Sequence, residues 1–109
     1  MLIYNVTVCV DRAIEFEWNR WMLDEHVREV LATGCFKSFS LLRVEADGVE
    51  DPTYSVQFRC ASKSDLDRYE SDHAPALRAK SLERFGEKTL AFRSLLYTVA
   101  EGHLKNPDQ

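Results

Sequence analysis

Residues 53–60, TYSVQFRC, alternate without a break. Tyr54, Val56, Phe58 and Cys60 fall on one side, and Thr53, Ser55, Gln57 and Arg59 on the other. A period of two in β-branched and aromatic residues is the pattern of a strand with one buried face. Just before it, ADGVEDP at 46–52 gathers Gly, Pro and acidic residues into a polar hairpin loop. Residues 35–45 then read as the strand paired across that loop, with Phe36, Phe39, Leu41, Leu42 and Val44 spread along it.

Further out, Ile3 to Val10 alternates in the same way, with Tyr4, Val6, Val8 and Val10 opposed to Ile3, Asn5, Thr7 and Cys9. The more apolar set, with Tyr54, Val56 and Phe58, belongs on the covered side of a sheet. Asp11 is placed to cap a helix. Ala13 to Ala32 contains no Gly or Pro, and Trp18, Met22, His26 and Val30 recur at steps of four, with Ile14 one step earlier. That spacing predicts one helical stripe, closed by Thr33-Gly34. Downstream, Ser62-Lys63-Ser64-Asp65 is a capping box with Asp in the acidic position. It opens a helix expected to reach Phe85 and end at Gly86. Pro75 predicts a kink or break between Asp72 and Pro75, with Asp72 as candidate cap of the second half. Residues 88–99 form the last expected strand, and 101–109 a polar tail expected to be mobile.

The order β-α-β-β-α-β predicts an α+β, ferredoxin-like domain over residues 1–100: a four-stranded antiparallel sheet with two helices on one face. The other face has no cover within the chain. Because that face mixes apolar and polar residues, self-association as a two-fold homodimer through the open sheet face is expected.

Composition excludes several function classes. The chain of 109 residues is 45% apolar and 29% charged, with a formal net charge of −4 and no basic block. Nucleic-acid binding needs clustered Lys and Arg, and so does adsorption to an anionic membrane surface. MLIYNVTVCVDR lacks the basic and continuous apolar regions of a signal peptide, and no apolar run approaches the ~18 residues of a membrane span. Cys9, Cys35 and Cys60 are odd in number and far apart. They read as unpaired thiols in a reducing cytoplasm, with no disulfide framework, no metal site and no cofactor expected.

Several separated motifs resemble one family. They are IYNVTV at 3–8, W-x-x-W-M-x-x-x-H from Trp18 to His26, and ATG-x-F at 32–36. HAPAL-R at 73–78, ERFG at 83–86 and AFR-x-LL at 91–96 complete the set. The family is an uncharacterised bacterial one of about 100 residues, and the resemblance runs from Leu2 to about Val99. It resembles in turn the dimeric α+β barrel superfamily, in which two ferredoxin-like sheets pack into one barrel. That resemblance implies relatives among cofactor-free monooxygenases, small isomerases and lyases, and haem-binding or haem-degrading proteins. It also implies a ligand held between helices and sheet, and in some relatives an acid/base histidine on the first helix. It carries over no activity, because one fold hosts many chemistries.

His26 is the candidate catalytic residue, since an imidazole titrates near working pH. The structural alternative is a histidine at the seam's edge, hydrogen-bonded to a backbone carbonyl, Glu25 or Glu29. Trp18 and Trp21 either wall a pocket for a flat ligand or fill core and interface. Tyr54 and Tyr69 are candidates to add hydroxyls to the same cleft. Asn5, Thr7, Gln57 and Arg59 should share one sheet face, either bonding across a dimer interface or lining a small polar cavity. Arg93 suits an anionic ligand or a rim salt bridge. His73 reads as a helix-break residue, and His103 lies in the tail. A small-molecule site predicts a cavity of a few hundred cubic ångströms with His26 at its wall. A non-catalytic interaction module predicts a closed core. Haem on His26 is the weaker third reading.

Overall fold

The computed structural model describes residues 1–104. Four strands form one antiparallel sheet in the order β2-β3-β1-β4: β1 Leu2–Val10, β2 Ser38–Val44, β3 Thr53–Cys60 and β4 Thr89–Tyr97. The helical segments are α1 Glu15–Trp21, α2 Val27–Ala32, α3 Lys63–Asp72 and α4 Ala74–Phe85. This is the ferredoxin-like β-α-β-β-α-β arrangement, with the helices on one sheet face. No helix among the described residues is long and apolar enough to cross a membrane.

The register shows why alternation decides the packing. Tyr4 pairs with Phe58, Val6 with Val56 and Val8 with Tyr54, so the apolar sets of β1 and β3 lie on one face. Cross-strand neighbours on one face sit ~5 Å apart, close enough to pack as pairs. The helices cover that face with Trp18, Trp21, Met22, Val27, Val30, Leu66, Tyr69, Leu77 and Phe85, all buried.

The first helix departs from the expected continuous stripe. Arg12–Ile14 is a 3-10 turn, and Met22–His26 is a π turn in which the Val27 N–H donates to the Met22 carbonyl. A π turn holds one residue more than an α turn would. The step after Met22 is therefore five, and Val27, not His26, takes the next core position beside Val30. His26 moves to the half-buried edge of the seam.

Smaller expectations also shift. The second strand begins at Ser38, because Cys35 and Phe36 turn into the core as the chain crosses from helix to sheet. The Lys37 N–H already donates to the Arg59 carbonyl at 2.7 Å. The helix does break where Pro75 required it, at His73, and Pro75 enters the first turn of α4, where its missing N–H does no harm. Asp72 does not cap α4. Its Oδ1 accepts from the Ser71 hydroxyl, and His73 occupies the cap position with no side-chain bond. Asp11 does cap, accepting from the Ala13 N–H at 2.8 Å. Half of the expected box at Ser62 forms: its Oγ accepts from the Asp65 N–H at 3.2 Å, while the Asp65 carboxylate meets the Ser62 hydroxyl. The last strand ends at Tyr97, and Thr98 to Leu104 carry no regular structure. The rest of the expected tail, 105–109, lies outside the described residues.

Gly34 closes α2 at φ 76°, and a Cβ there would meet nothing within 4 Å. The penalty for a side chain is therefore conformational alone. Gly34→Ala is expected to lower stability by about 1 kcal/mol, and Gly34→Asn by less, because Asn tolerates the left-handed region. Urea denaturation of the three proteins side by side checks this; an equal loss for both variants would contradict it.

Candidate functional site

The helix-covered sheet face is not packed solid. A cavity of about 70 Å³ lies between the helices and the sheet. Val6, Val8, Val56 and Phe58 form its floor, and Trp18, Trp21 and Met22 wall it from the first helix. By the same measure a single water needs ~10–15 Å³, so the space takes about five water-sized groups. It falls well short of the few hundred cubic ångströms expected, and a haem macrocycle would require the helices to part.

Its polar groups come from five separate elements. Tyr4 is on β1, His26 ends the π turn, Tyr69 is on α3, and Arg78 with Ser81 is on α4. Arg93 is on β4, where it pairs directly with Val6 and so shares the helix-covered face. The π turn decides the placement of His26. The i→i+5 bond of a π turn brings residues five apart onto neighbouring positions. His26 stacks on Trp21 with ring centroids 4.8 Å apart and planes 21° from parallel. Phe85 meets the same indole edge-on at 5.2 Å.

The imidazole has no hydrogen-bond partner among the described residues. Neither Glu25 nor Glu29 bonds to it; the Glu29 carboxylate accepts from Lys80 Nζ at 2.8 Å. Burial is the main cause lowering the His26 pKa from the usual 6.5; Arg93 and Lys80 lower it further and Glu29 opposes them. His26 is therefore neutral near pH 7, able to accept a proton or a hydrogen bond.

The two tyrosines are held protonated. Burial raises both pKa values; at Tyr4 the hydrogen bond from Arg78 opposes the rise, and at Tyr69 the neighbouring Tyr4 adds to it. Tyr4 Oη accepts from Arg78 Nη2 at 3.0 Å, which leaves its own proton available. The Tyr69 hydroxyl has no partner among the described residues. Arg78 is neutralised by Glu70, whose two oxygens accept from it at 3.0 and 2.9 Å. Arg93 forms no ion pair and no side-chain hydrogen bond among the described residues, so the expected rim salt bridge is absent. Its charge nevertheless reaches Tyr4, His26 and Tyr69, lowering the pKa of each.

The other sequence candidates stand elsewhere. Tyr54 stacks against Trp18 at 5.0 Å, but its hydroxyl turns away, donating to Glu15 at 2.5 Å and accepting from Asn19 at 3.0 Å. Asn5, Gln57 and Arg59 lie on the open sheet face, across the sheet from His26. There Asn5 donates to Thr7 and Ser94 and accepts from Ser55, which in turn accepts from Gln57. Arg59 donates to Ser38 and Ser40. Asn5, Thr7, Ser55, Gln57 and Ser94 form a hydroxyl–amide network, Arg59 stands apart on its two serines, and none of them shares a site with His26. Sequence reasoning passed over Tyr4, Arg78 and Ser81. Ala74, Arg78, Ser81 and Phe85 recur at steps of four, three and four, so an arginine and a serine on an apolar stripe were the available signal. Among the described residues no three His, Cys, Asp or Glu side chains converge as metal ligands.

Known proteins match this chain in family and in fold. The chain belongs to the family described as Domain of unknown function (DUF4286), matched over residues 1–99. No curated protein matches it. An ethyl tert-butyl ether d (ethd) family protein from Bacillus halodurans is similar in structure with TM-score 0.61. It is 8% identical, covering 86% of this chain and 97% of its own. A protein provisionally named an antibiotic biosynthesis monooxygenase, from Deinococcus radiodurans, gives TM-score 0.61 at 9% identity, covering 97% and 100%. A dimeric ferredoxin-like protein from an uncultured marine organism gives 0.60 at 14%, covering 93% and 97%. At these identities the likeness is one of fold.

Acidification should expose the state of His26. The unfolded imidazole binds its proton near pH 6.5, whereas the folded one binds it only at lower pH. The unfolded state thus carries more protons in that window, and stability falls as the pH drops through it. His26→Gln is expected to flatten the decline in melting temperature just below pH 6.5, relative to wild type. Thermal melts across that range decide it; parallel curves for the two proteins would contradict the assignment.

Proposed function

We propose that this protein is a small cytoplasmic homodimer that holds a small molecule between its helices and its sheet in each subunit. The observation carrying this reading is the convergence of His26, Tyr4, Tyr69 and Arg93 on one apolar-floored space. Ligand sites combine an apolar lining with a few convergent polar groups, as this space does. In this reading Trp18 and Trp21 wall the ligand, and His26 exchanges a proton with it or accepts a hydrogen bond from it. The three free thiols at Cys9, Cys35 and Cys60 fit a reducing compartment.

The open sheet face is the proposed dimer contact. Leu90, Phe92 and Leu96 of β4 and Leu42 of β2 are exposed there around the Asn5–Ser55–Ser94 network. A second copy related by a two-fold axis brings identical surfaces together, apolar edges against polar centre or against each other. Gln57 and Arg59 then serve the interface. The dimeric ferredoxin-like protein of similar fold supports this assembly.

The small volume favours a second reading, a non-catalytic assembly module whose aromatic residues serve packing alone. Amide and indole NMR signals under a screen of fragments with four to six heavy atoms separate the two. Shifts clustered on Trp21, His26, Val6 and Ala91 support a ligand site; their absence leaves the module. For the assembly itself, Phe92→Asp is expected to convert the dimer to a folded monomer. Light scattering with circular dichroism reads both properties, and a variant that stays dimeric places the contact elsewhere.

A further inference from the structure

We infer that the cavity takes a compact carboxylate, its oxygens on the Arg93 guanidinium and its short apolar end on the Val6–Val8–Val56–Phe58 floor. The inference rests on the ligand-site reading above and adds the chemical class.

Charge decides for an anion. No carboxylate among the described residues lines the cavity. Of its two arginines, Arg78 is already balanced by Glu70, whereas Arg93 has no counter-charge among the described residues. Two protonated phenols stand with it, and Tyr69 has its hydrogen bond still to give. One unbalanced positive charge beside neutral donors suits a monoanion better than a phosphate carrying nearly two charges. A planar guanidinium also matches a carboxylate with two parallel hydrogen bonds. Size decides for a compact molecule, because about five water-sized groups fill 70 Å³. Four aliphatic and aromatic floor residues reward a short hydrocarbon end.

His26 supplies an internal reporter. Glu29 faces it from its own helix, Lys80 from α4 and Arg93 from β4. An anion seated on Arg93 offsets the two cations and favours the imidazolium.

Sodium propionate and its neutral isostere propionamide test the inference, with chloride holding ionic strength constant. In wild type, propionate is expected to shift the His26 and Trp21 ring signals saturably and to raise the imidazole pKa. Arg93→Gln should weaken that binding at least tenfold, Arg93→Lys should weaken it less, and propionamide should bind both proteins alike and poorly. Arg93 is exposed, so its variants are expected to keep the wild-type melting temperature. If propionamide matches propionate, or Arg93→Gln binds propionate unchanged, the carboxylate assignment falls and the ligand site stands. If neither probe moves the His26 or Trp21 signals, both fall.

Discussion

The whole arrangement hangs on β1. It is one of the two central strands and pairs along its length with β3 on one side and β4 on the other. Its alternation therefore sets the side of every residue opposite it. Tyr4, Val6 and Val8 fix Phe58, Val56 and Tyr54 on the helix side, and fix Leu95, Arg93 and Ala91 there as well. A slip of one residue would turn Asn5 and Thr7 into the core and Val6 out of it. The placement of Arg93 is a consequence of that register. On a strand whose own sequence mixes apolar and polar residues, pairing with Val6 turns Arg93 to the helix side, where its side chain stays exposed at the cavity rim.

A second constraint acts on the opposite wall. The first helix must bury Trp18, Trp21 and Met22, then Val27 and Val30, and no uniform α spacing satisfies both groups. The π turn absorbs the extra residue. Inserting a residue distorts one turn locally, yet both halves keep their apolar faces on the sheet. The residue displaced by this compromise is His26. It comes to rest on the Trp21 ring with its polar atoms unbonded, at a cavity edge where burial holds it neutral. The irregularity in the backbone and the unusual state of the imidazole thus have one cause.

Much of this is legible in the sequence. Period-two alternation in 3–10 and 53–60, the glycines at 34 and 86 and the proline at 75 sufficed for the order and sidedness of the elements. Three features were not legible, each for a physical reason. A helical stripe at steps of four looks the same whether one turn is α or π, so His26 was drawn into the core line that Val27 occupies. Cys35 and Phe36 have the composition of a strand, but the crossing from helix to sheet claims them. The cavity volume depends on how closely Trp18, Met22 and Phe58 approach, which pattern does not encode. The sequence did place Asn5, Gln57 and Arg59 together on one face, and Trp18 with His26 on the first helix. Register then assigned these two groups to opposite sides of a single sheet.

That separation gives the two faces different work. On the open side Asn5 uses both its donor and its acceptor within the network, while Arg59 rests on two serines with no carboxylate partner among the described residues. Satisfied polar groups can be covered by a second subunit without leaving a buried donor or acceptor unpaired, which is the condition for burying them at all. The helix side is the reverse. Its apolar floor is buried already, while Arg93, Tyr69 and His26 retain unused hydrogen-bonding capacity. A surface whose central amide is paired and whose edges are apolar suits protein contact. A small space with unpaired donors and an exposed, unpaired arginine at its rim suits a ligand that brings the missing acceptors with it.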